Sequence, residues 1–124
     1  FGRLDILINH AAVEPRLPLL DMDEWDWHRV LDVNLTGAFL MTQSAGRVMR
    51  ANASGVIINL ITGSARDESA AAAFAASMQG LAGFTRQAAR ELNPYGIQVY
   101  LVENIPEKVV ESVFALLDLQ TEGQ

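Results

Sequence analysis

The sequence predicts an α/β fold built on a three-stranded parallel sheet with flanking helices. Three short apolar runs, too short for helices, alternate with longer segments that have helical periodicity. Each strand–helix–strand segment is long enough for the right-handed crossover that joins parallel neighbours. With 124 residues, half of them hydrophobic and 19% charged, the chain is predicted to form at most one domain.

The predicted strands cover residues 5–9, 56–61 and 97–102. The first is an apolar run bounded by polar residues, which suits a buried parallel strand. The second is continuous and β-branched, so we expect it to be buried on both faces. An outer strand as apolar as the first should not stay unpaired, and a parallel sheet needs both faces covered. The sequence therefore indicates that part of the fold is missing.

Two helices are predicted between the first and second strands. Asp21 and Glu24 have the spacing of a capping box, which predicts a helix over residues 23–33. The residues Asn-Leu-Thr-Gly at 34–37 are expected to interrupt this pattern. A second apolar stripe then recurs at spacings of three and four and ends at the turn-forming residues 51–55.

Two more helices are predicted in the second half. One covers residues 71–92 and is stopped by the Asn-Pro-Tyr-Gly of 93–96. It contains Gly80 and Gly83, each costing about 1 kcal/mol relative to alanine, a cost that a close neighbouring helix would explain. A last helix is expected to begin at Asn104 and to end near residue 117.

Composition excludes several classes of function. The net charge of −6 argues against nucleic acid or an anionic membrane as a partner, because both require a basic surface. The absence of cysteine excludes disulfides, a zinc–thiolate site and a cysteine nucleophile. No apolar stretch approaches about 18 residues, and no signal peptide is visible. We therefore expect a cytoplasmic protein, and a chain that starts at Phe1 reads as a piece of a longer one.

Several motifs occur in a characteristic order. Residues 2–12 resemble a strand followed by an Asn-Asn-Ala-Gly motif, and residues 34–37 an Asn-x-x-Gly motif. Residues 74–92 resemble an active-site helix with a Tyr-x-x-x-Lys motif. Together they closely resemble the short-chain dehydrogenase/reductase family. The resemblance implies a partial Rossmann-like, doubly wound sheet, so that residues 1–124 form a single partial domain lacking the N-terminal dinucleotide-binding half and the last strand.

The resemblance also assigns site residues. The family's catalytic positions fall on Asn34, Thr62, Phe74 and Met78. The family's cofactor-binding motif falls on Asn9, His10, Ala11 and Ala12. The implied cofactor is NAD or NADP, and in the family the Asn at position 34 helps to hold a proton-relay water.

The chain departs from the family pattern at the two positions that carry the chemistry. Phe74 replaces the tyrosine that exchanges the substrate proton, and Met78 replaces the lysine whose charge stabilises the phenolate. No Gly-x-x-x-Gly-x-Gly turn for a pyrophosphate is present. We therefore expect a chain that is catalytically inactive and binds neither NAD nor NADP alone.

Structural alternatives exist for every site residue. Phe74 and Met78, at i and i+4, suit core packing. Thr62 suits a loop hydroxyl that bonds to local backbone, and Asn34 suits a helix cap. His10 suits a hydrogen-bonded loop residue, and His28 has no partner that would make a metal site.

Two further functions remain open. The chain is also predicted to be a structural module that forms a homo-oligomer through helices 35–50 and 74–92, since the family commonly pairs subunits there. The other possibility is an oxidoreductase that is active as part of a longer chain. Neither nucleic acid nor membrane is an expected partner, and the small-molecule substrate is not specified by the sequence.

Overall fold

The computed structural model describes residues 3–10, 13, 17–62, 71–104 and 113–117. It contains a parallel sheet with the strand order β1 (Ile6–Asn9), β2 (Gly55–Thr62) and β3 (Ile97–Asn104). Ile6 pairs with Val56 on one side of β2, and Gly55 pairs with Ile97 on the other. The α/β class with a parallel three-stranded sheet is therefore confirmed.

The described helices are α1 (Glu24–Leu31), α2 (Gly37–Asn52) and α3 (Ala72–Leu92), and residues 113–117 are also helical. One face of the sheet is covered by α2 and α3. Ala45 and Met49 of α2 form a buried cluster with Ile57 and Ile97, and Leu92 of α3 packs against it. The opposite face packs against the short helical segment, through Val56, Ile58, Leu60, Val102, Val113, Leu116 and Leu117. No helix in the described part of the chain is long and apolar enough to cross a membrane.

The central strand is buried as predicted, but the first strand is not. Residues 55–60 of β2 are all buried. In β1, Ile6 and Ile8 are 42% and 45% exposed, so the expectation of a buried first strand is wrong for these two side chains. The reason is topological, because β1 lies at an edge of the sheet and has a neighbour on one side alone within the described residues.

The cap of α1 also differs from the prediction. Asp21 lies in a 3₁₀ turn, Leu19–Asp21, and does not cap the helix. The cap is Asp23, whose backbone is extended and whose carboxylate accepts a hydrogen bond of 2.9 Å from the Asp26 N–H. The predicted start of the helix is nevertheless correct to within one residue.

The predicted interruption at residues 34–37 is wrong. Asp32–Thr36 form a π-helical turn that continues directly from α1 into α2. The Gly37 N–H bonds to the carbonyl of Asp32, five residues earlier. Such turns occur mostly as single-turn bulges inside helices and frequently lie at functional sites. The apolar pattern breaks here because the turn is wider than an α-helical one, while the chain remains helical.

The glycines of α3 have different surroundings. A Cβ at Gly80 would lie 2.9 Å from a methyl carbon of Leu35, so a close neighbour explains that glycine. A Cβ at Gly83 would meet nothing within 4 Å in the described structure, so the same explanation is wrong there.

The segments that follow α3 agree with the prediction in part. After α3, a 3₁₀ turn leads to Gly96, whose φ of +80° favours glycine and where a Cβ would collide with the Ala53 carbonyl. Asn104 belongs to β3 and does not begin a helix. Residues 105–112 of the predicted last helix lie outside the described residues, whereas 113–117 are helical as predicted.

Candidate functional site

Asn34 lies at the centre of the π turn and is 1% exposed. Its Oδ1 accepts a hydrogen bond of 2.7 Å from the Val13 N–H, and its Nδ2 donates to the Val13 carbonyl at 2.9 Å. The same Nδ2 donates to Ser77 Oγ at 3.0 Å. Both amide hydrogens are therefore used by protein groups, which leaves one lone pair on Oδ1 for any other partner. The alternative of a helix cap is wrong, because Asn34 bonds to a distant loop and to α3.

Ser77 connects this contact to the backbone of α3. Its hydroxyl is fully buried and donates a hydrogen bond of 2.8 Å to the Phe74 carbonyl while it accepts from Asn34. The arrangement fixes α3 against the π turn one helical turn away from Phe74. Sequence reasoning did not single out Ser77, since a serine within an alanine-rich helix gives no signal of a distant partner.

Phe74 and Met78 lie one turn apart on α3 and are 5% and 6% exposed. They belong to one apolar cluster with Ala38 and Leu81, and three partly buried side chains pack against it. Those three are Leu35, Ile61 and Phe84. No member of this cluster can accept or release a proton near neutral pH. The geometry at both positions is that of hydrophobic core.

The carboxyl ends of β1 and β2 bring the remaining predicted residues to one edge of the sheet. Asn9 ends β1 and pairs with Asn59, and Thr62 ends β2. Thr62 lies three residues beyond Asn59, or about 10 Å along the strand. His10 follows β1 and is exposed. This is the edge at which open parallel sheets bind ligands. Ala11, Ala12 and the Thr62 side chain lie outside the described residues.

A polar network that the sequence analysis missed crosses the core beside this edge. Asn9 Nδ2 donates to Asn59 Oδ1 at 2.6 Å and lies 3.4 Å from Thr42 Oγ1. Asn59 Nδ2 donates to Thr85 Oγ1 at 3.0 Å, and that hydroxyl donates to the Leu81 carbonyl at 2.6 Å. Asn59 and Thr85 are 0% and 1% exposed. The signal for it was the asparagine inside the apolar run 56–61.

The network also fixes the orientation of the Asn9 side-chain amide. Its nitrogen is directed at Asn59 and Thr42, inside the protein. The residues placed at a nicotinamide site by the resemblance therefore offer an engaged amide at Asn9 and apolar, buried side chains at Phe74 and Met78. Phe74 and Met78 therefore offer a nicotinamide neither a hydrogen-bond donor nor a charge, and the Asn9 amide nitrogen is already hydrogen-bonded within the protein.

Charged groups do not gather at this edge in the described structure. Among the described residues, no group of three His, Asp or Glu side chains could hold a metal ion. The pKa of Arg3 is raised, because Asp5 accepts a hydrogen bond of 2.6 Å from its guanidinium and adds an opposite charge. That exposed pair precedes the amino end of β1, whereas the predicted site lies at the carboxyl end of the strand.

A groove of about 270 Å³ separates the outer surfaces of α2 and α3. Phe39 and Phe84 line it with their rings edge to face, 6.1 Å between centroids. Arg50 lies 5.6 Å from the ring centroid of Tyr95 at the other end. Elsewhere on α2, Leu40 and Met41 are each 52% exposed, and neither lines the groove.

Comparison with known proteins leads to the same family that the motifs resemble. A family model described as short chain dehydrogenase matches residues 1–106. The chain is 40% identical over 99 residues to the short-chain reductase protein NovJ of Streptomyces niveus, covering 80% of this chain and 38% of NovJ. It is 37% identical over 103 residues to a 3-oxoacyl-(acyl-carrier-protein) reductase of Synechocystis, covering 82% of this chain and 42% of that protein.

Solved structures agree with the fold. A short chain dehydrogenase from Mycobacterium smegmatis superposes with a TM-score of 0.77 at 34% identity, covering 82% of this chain and 43% of that one. A metagenomic short-chain oxidoreductase in complex with NADP gives 0.82 at 32% identity, covering 94% and 55%. The chain spans about two fifths of the length of the curated relatives it matches. Since the family match extends over most of the sequence and the three-stranded sheet superposes on these oxidoreductases, the chain belongs to the short chain dehydrogenase family.

Proposed function

We propose that this chain is an NAD(P)-dependent oxidoreductase by descent that does not itself catalyse hydride transfer. The observation that supports this is the burial of Phe74 and Met78 in one apolar cluster. Alcohol oxidation needs a group that takes the hydroxyl proton while hydride leaves to nicotinamide. Phenylalanine has no acidic proton, and methionine carries no charge that could lower a neighbouring pKa. Thr62 and Asn34 do not replace that group.

The relatives support a class of reaction for the family, but they do not indicate one substrate. Among the similar proteins are a 3-oxoacyl-(acyl-carrier-protein) reductase and a borneol dehydrogenase of Lavandula. These names describe different molecules that share interconversion of an alcohol and a carbonyl. A structural neighbour was solved with NADP, which supports a nicotinamide cofactor for the family. For this chain, a cytoplasmic location remains a prediction from its lack of cysteine.

Activity is tested by nicotinamide absorbance against a panel of small alcohols and ketones. The wild type is compared with Phe74→Tyr/Met78→Lys, with NAD and with NADP. We expect turnover from neither protein, because the chain has no pyrophosphate turn to hold the cofactor. Turnover by the wild type would show that another residue supplies the proton, and the proposal of an inactive chain would be wrong.

Cofactor binding is tested separately by titration calorimetry with each dinucleotide. We expect no dissociation constant tighter than about 100 μM, which corresponds to about 5.5 kcal/mol. Tighter binding would show that a cofactor site exists in this chain. Turnover by Phe74→Tyr/Met78→Lys but not by the wild type would also show that a cofactor site exists in this chain. It would agree with the assignment of positions 74 and 78 to the family's tyrosine and lysine.

A second candidate function is that of an assembly module, and the groove between α2 and α3 favours it. Gly83 has open space around it, and Ala76, Gly83 and Gln87 are exposed along one side of α3, whereas Gly80 of the same predicted stripe packs against Leu35. On α2, Phe39 lines the groove and is 41% exposed. We propose that two copies pair by packing α2 and α3 against the same helices of the partner.

Charge along the groove is compatible with such pairing. Arg47 and Arg50 lie on α2, and Glu91 lies on α3. In an isologous contact, a two-fold axis can bring the arginines of one copy toward the glutamate of the other. Surface charge pairs contribute mainly to orientation, so the apolar residues are expected to supply most of the affinity.

Light scattering at micromolar concentration tests this second function. We expect a dimer or a tetramer, weakened by Gly83→Leu because the added side chain fills the space that close packing requires. Ser44→Leu is the matched control, since Ser44 is an exposed residue of α2 outside the groove lining. A stable monomer, or equal effects of the two changes, would contradict the proposed contact.

A further inference from the structure

The groove between α2 and α3 has an apolar end and a charged end. The two helices run in the same direction along it, because Phe39 of α2 contacts Phe84 of α3 and a Cβ at Gly46 would lie 3.7 Å from Leu92. Both helices therefore present their later residues, which include two arginines, to the same end of the groove.

The apolar end is built on a fixed aromatic wall. Phe84 is partly buried and packs against the core cluster that contains Phe74. Phe39 meets it edge to face and is 41% exposed. Thr42 and Ala88 also line the groove and are 4% and 8% exposed. An apolar group bound here would remove the exposed part of the Phe39 ring from water, which is favourable.

The charged end carries more positive than negative charge. Arg47 and Arg50 line the groove and are exposed. Among the described residues, ion pairing is confined to the amino side of β1, so neither of these arginines is paired with a carboxylate. Glu91 also lines the groove, and its Oε2 accepts a hydrogen bond of 3.0 Å from Gln87. Two cations and one anion give this lining a net charge of +1 in a chain of net charge −6.

This distribution of charge and apolar surface suits a monoanion with an apolar tail. A guanidinium binds a carboxylate through two parallel N–H bonds, and a net charge of +1 fits a carboxylate better than a dianionic phosphate monoester. Phe39 and Arg47 lie about 12 Å apart along α2, at 1.5 Å per residue. An extended ten-carbon carboxylate has about the same length, 12 Å, given C–C bonds of about 1.5 Å.

We propose that the groove between α2 and α3 binds a medium-chain carboxylate, with its tail against Phe39 and Phe84 and its head at Arg47 and Arg50. The inference goes beyond the proposed loss of catalysis and does not rest on the pairing of two copies. Such pairing would cover the same surface, so the carboxylate and a second copy compete for it.

Titration calorimetry with sodium decanoate tests the proposal on the full 124-residue chain. An ionic strength of about 0.15 M limits repulsion from distant acidic residues, since the Debye length is then about 8 Å. We expect saturable one-to-one binding. Decan-1-ol lacks the charged head and acetate lacks the tail, so each should bind at least about tenfold more weakly. Absence of saturable binding, or equal binding of decan-1-ol and decanoate, would overturn the proposal.

Charge variants test the position of the head. Arg47→Gln/Arg50→Gln should weaken decanoate binding at least about tenfold, because charge-assisted hydrogen bonds are lost. Arg86→Gln/Arg90→Gln is the matched control, since it removes two charges from exposed positions of α3 outside the groove lining. Glu91→Gln should tighten binding by about threefold. Equal effects of the two double variants would overturn the proposal.

A steric pair tests the position of the tail. Gln43→Trp fills the groove from an exposed lining position and should abolish binding, whereas Ser44→Trp adds the same side chain at an exposed position outside the lining and should leave the affinity unchanged. Circular dichroism checks that each variant is folded. Equal affinities of Gln43→Trp and the wild type would place the ligand elsewhere and overturn the proposal.

Light scattering during the same titration separates this site from the proposed pairing of copies. A chain that is monomeric without decanoate and binds it would contradict pairing and support the carboxylate site. A dimer that decanoate converts to monomer would support both. A dimer that persists at saturating decanoate would mean that the ligand lies outside the groove, and the proposal of a carboxylate site would be wrong.

Discussion

Asn34 and Ser77 are joined by a hydrogen bond of 3.0 Å between a side-chain amide and a hydroxyl, at positions that are 1% and 0% exposed. Asn34 belongs to the π turn and Ser77 to α3, so the bond ties two elements that are 43 residues apart in sequence. The two bonds from Asn34 to Val13 add the loop that follows β1. Three segments near the predicted active site therefore depend on one asparagine.

We predict that Asn34→Ala destabilises the protein by about 2 kcal/mol, because buried partners are left without hydrogen bonds. Urea unfolding of the variant and the wild type measures the difference. Ser44→Ala, an exposed change on α2, is expected to shift stability by less than about 0.5 kcal/mol. Equal stabilities for Asn34→Ala and the wild type would show that the three contacts contribute nothing to folding.

Asn59 and Thr85 are expected to be coupled energetically, because a buried hydrogen bond joins them. Thr85→Val keeps the shape of the side chain but leaves the Asn59 amide without its acceptor, at a cost of about 1–3 kcal/mol. In the double variant Asn59→Leu/Thr85→Val both polar partners are gone. A double-mutant cycle in urea should therefore give a total cost smaller than the sum of the single changes. Strict additivity would mean that the two side chains do not interact.

The two glycines of α3 should respond differently to alanine. At Gly83 the added methyl group meets open space, so stability should rise by the helix-propensity gain of about 0.8–1.0 kcal/mol. At Gly80 the methyl group meets Leu35 at 2.9 Å, and moving that side chain offsets part of the gain. Thermal unfolding of both variants measures the order. A larger gain at Gly80 than at Gly83 would contradict the packing described here.

Met78→Lys should be strongly destabilising, by about 3 kcal/mol at neutral pH, because it places an unpaired charge in an apolar cluster. Burial lowers the pKa of the introduced lysine below its unfolded value of about 10.4. The loss is therefore complete below the folded pKa and disappears as the pH rises through about 10.4. Urea unfolding between pH 7 and 10.5 should show the loss shrinking.

Met78→Leu is the control for this change, since it keeps the volume and should cost less than about 1.5 kcal/mol at every pH. If Met78→Lys is as stable as Met78→Leu at pH 7, position 78 is accessible to water or to a counter-charge. The interpretation of this position as core would then be wrong.

The fold was predictable where local signals agree with the final structure. The β-branched run that becomes β2 and the long periodic segment that becomes α3 were located to within about one residue. The spacing of Phe74 and Met78 predicted a shared helix face, and the structure places both in one cluster. For these elements, the apolar positions of the sequence pattern are the side chains that the structure buries.

The remaining features depend on partners that are distant in sequence. Asn59 looks like any strand residue until Asn9 and Thr85, 50 and 26 residues away, are brought beside it. The exposure of Ile6 depends on which strand forms the edge, and composition cannot report that. The cap at Asp23 was missed for a local reason, because Asp21, Asp23 and Glu24 lie within four residues and offer competing capping patterns.

The π turn of Asp32–Thr36 has a geometric consequence for the helix that follows. An α-helix advances by about 100° per residue, so one additional residue accommodated in a turn rotates everything after it by about that angle. The residues of α2 are thus out of angular phase with those of α1. The rotation directs Thr42, Ala45 and Met49 toward the sheet. Shortening this turn by one residue would convert it to a regular helix and swing those side chains a quarter turn away from the strands.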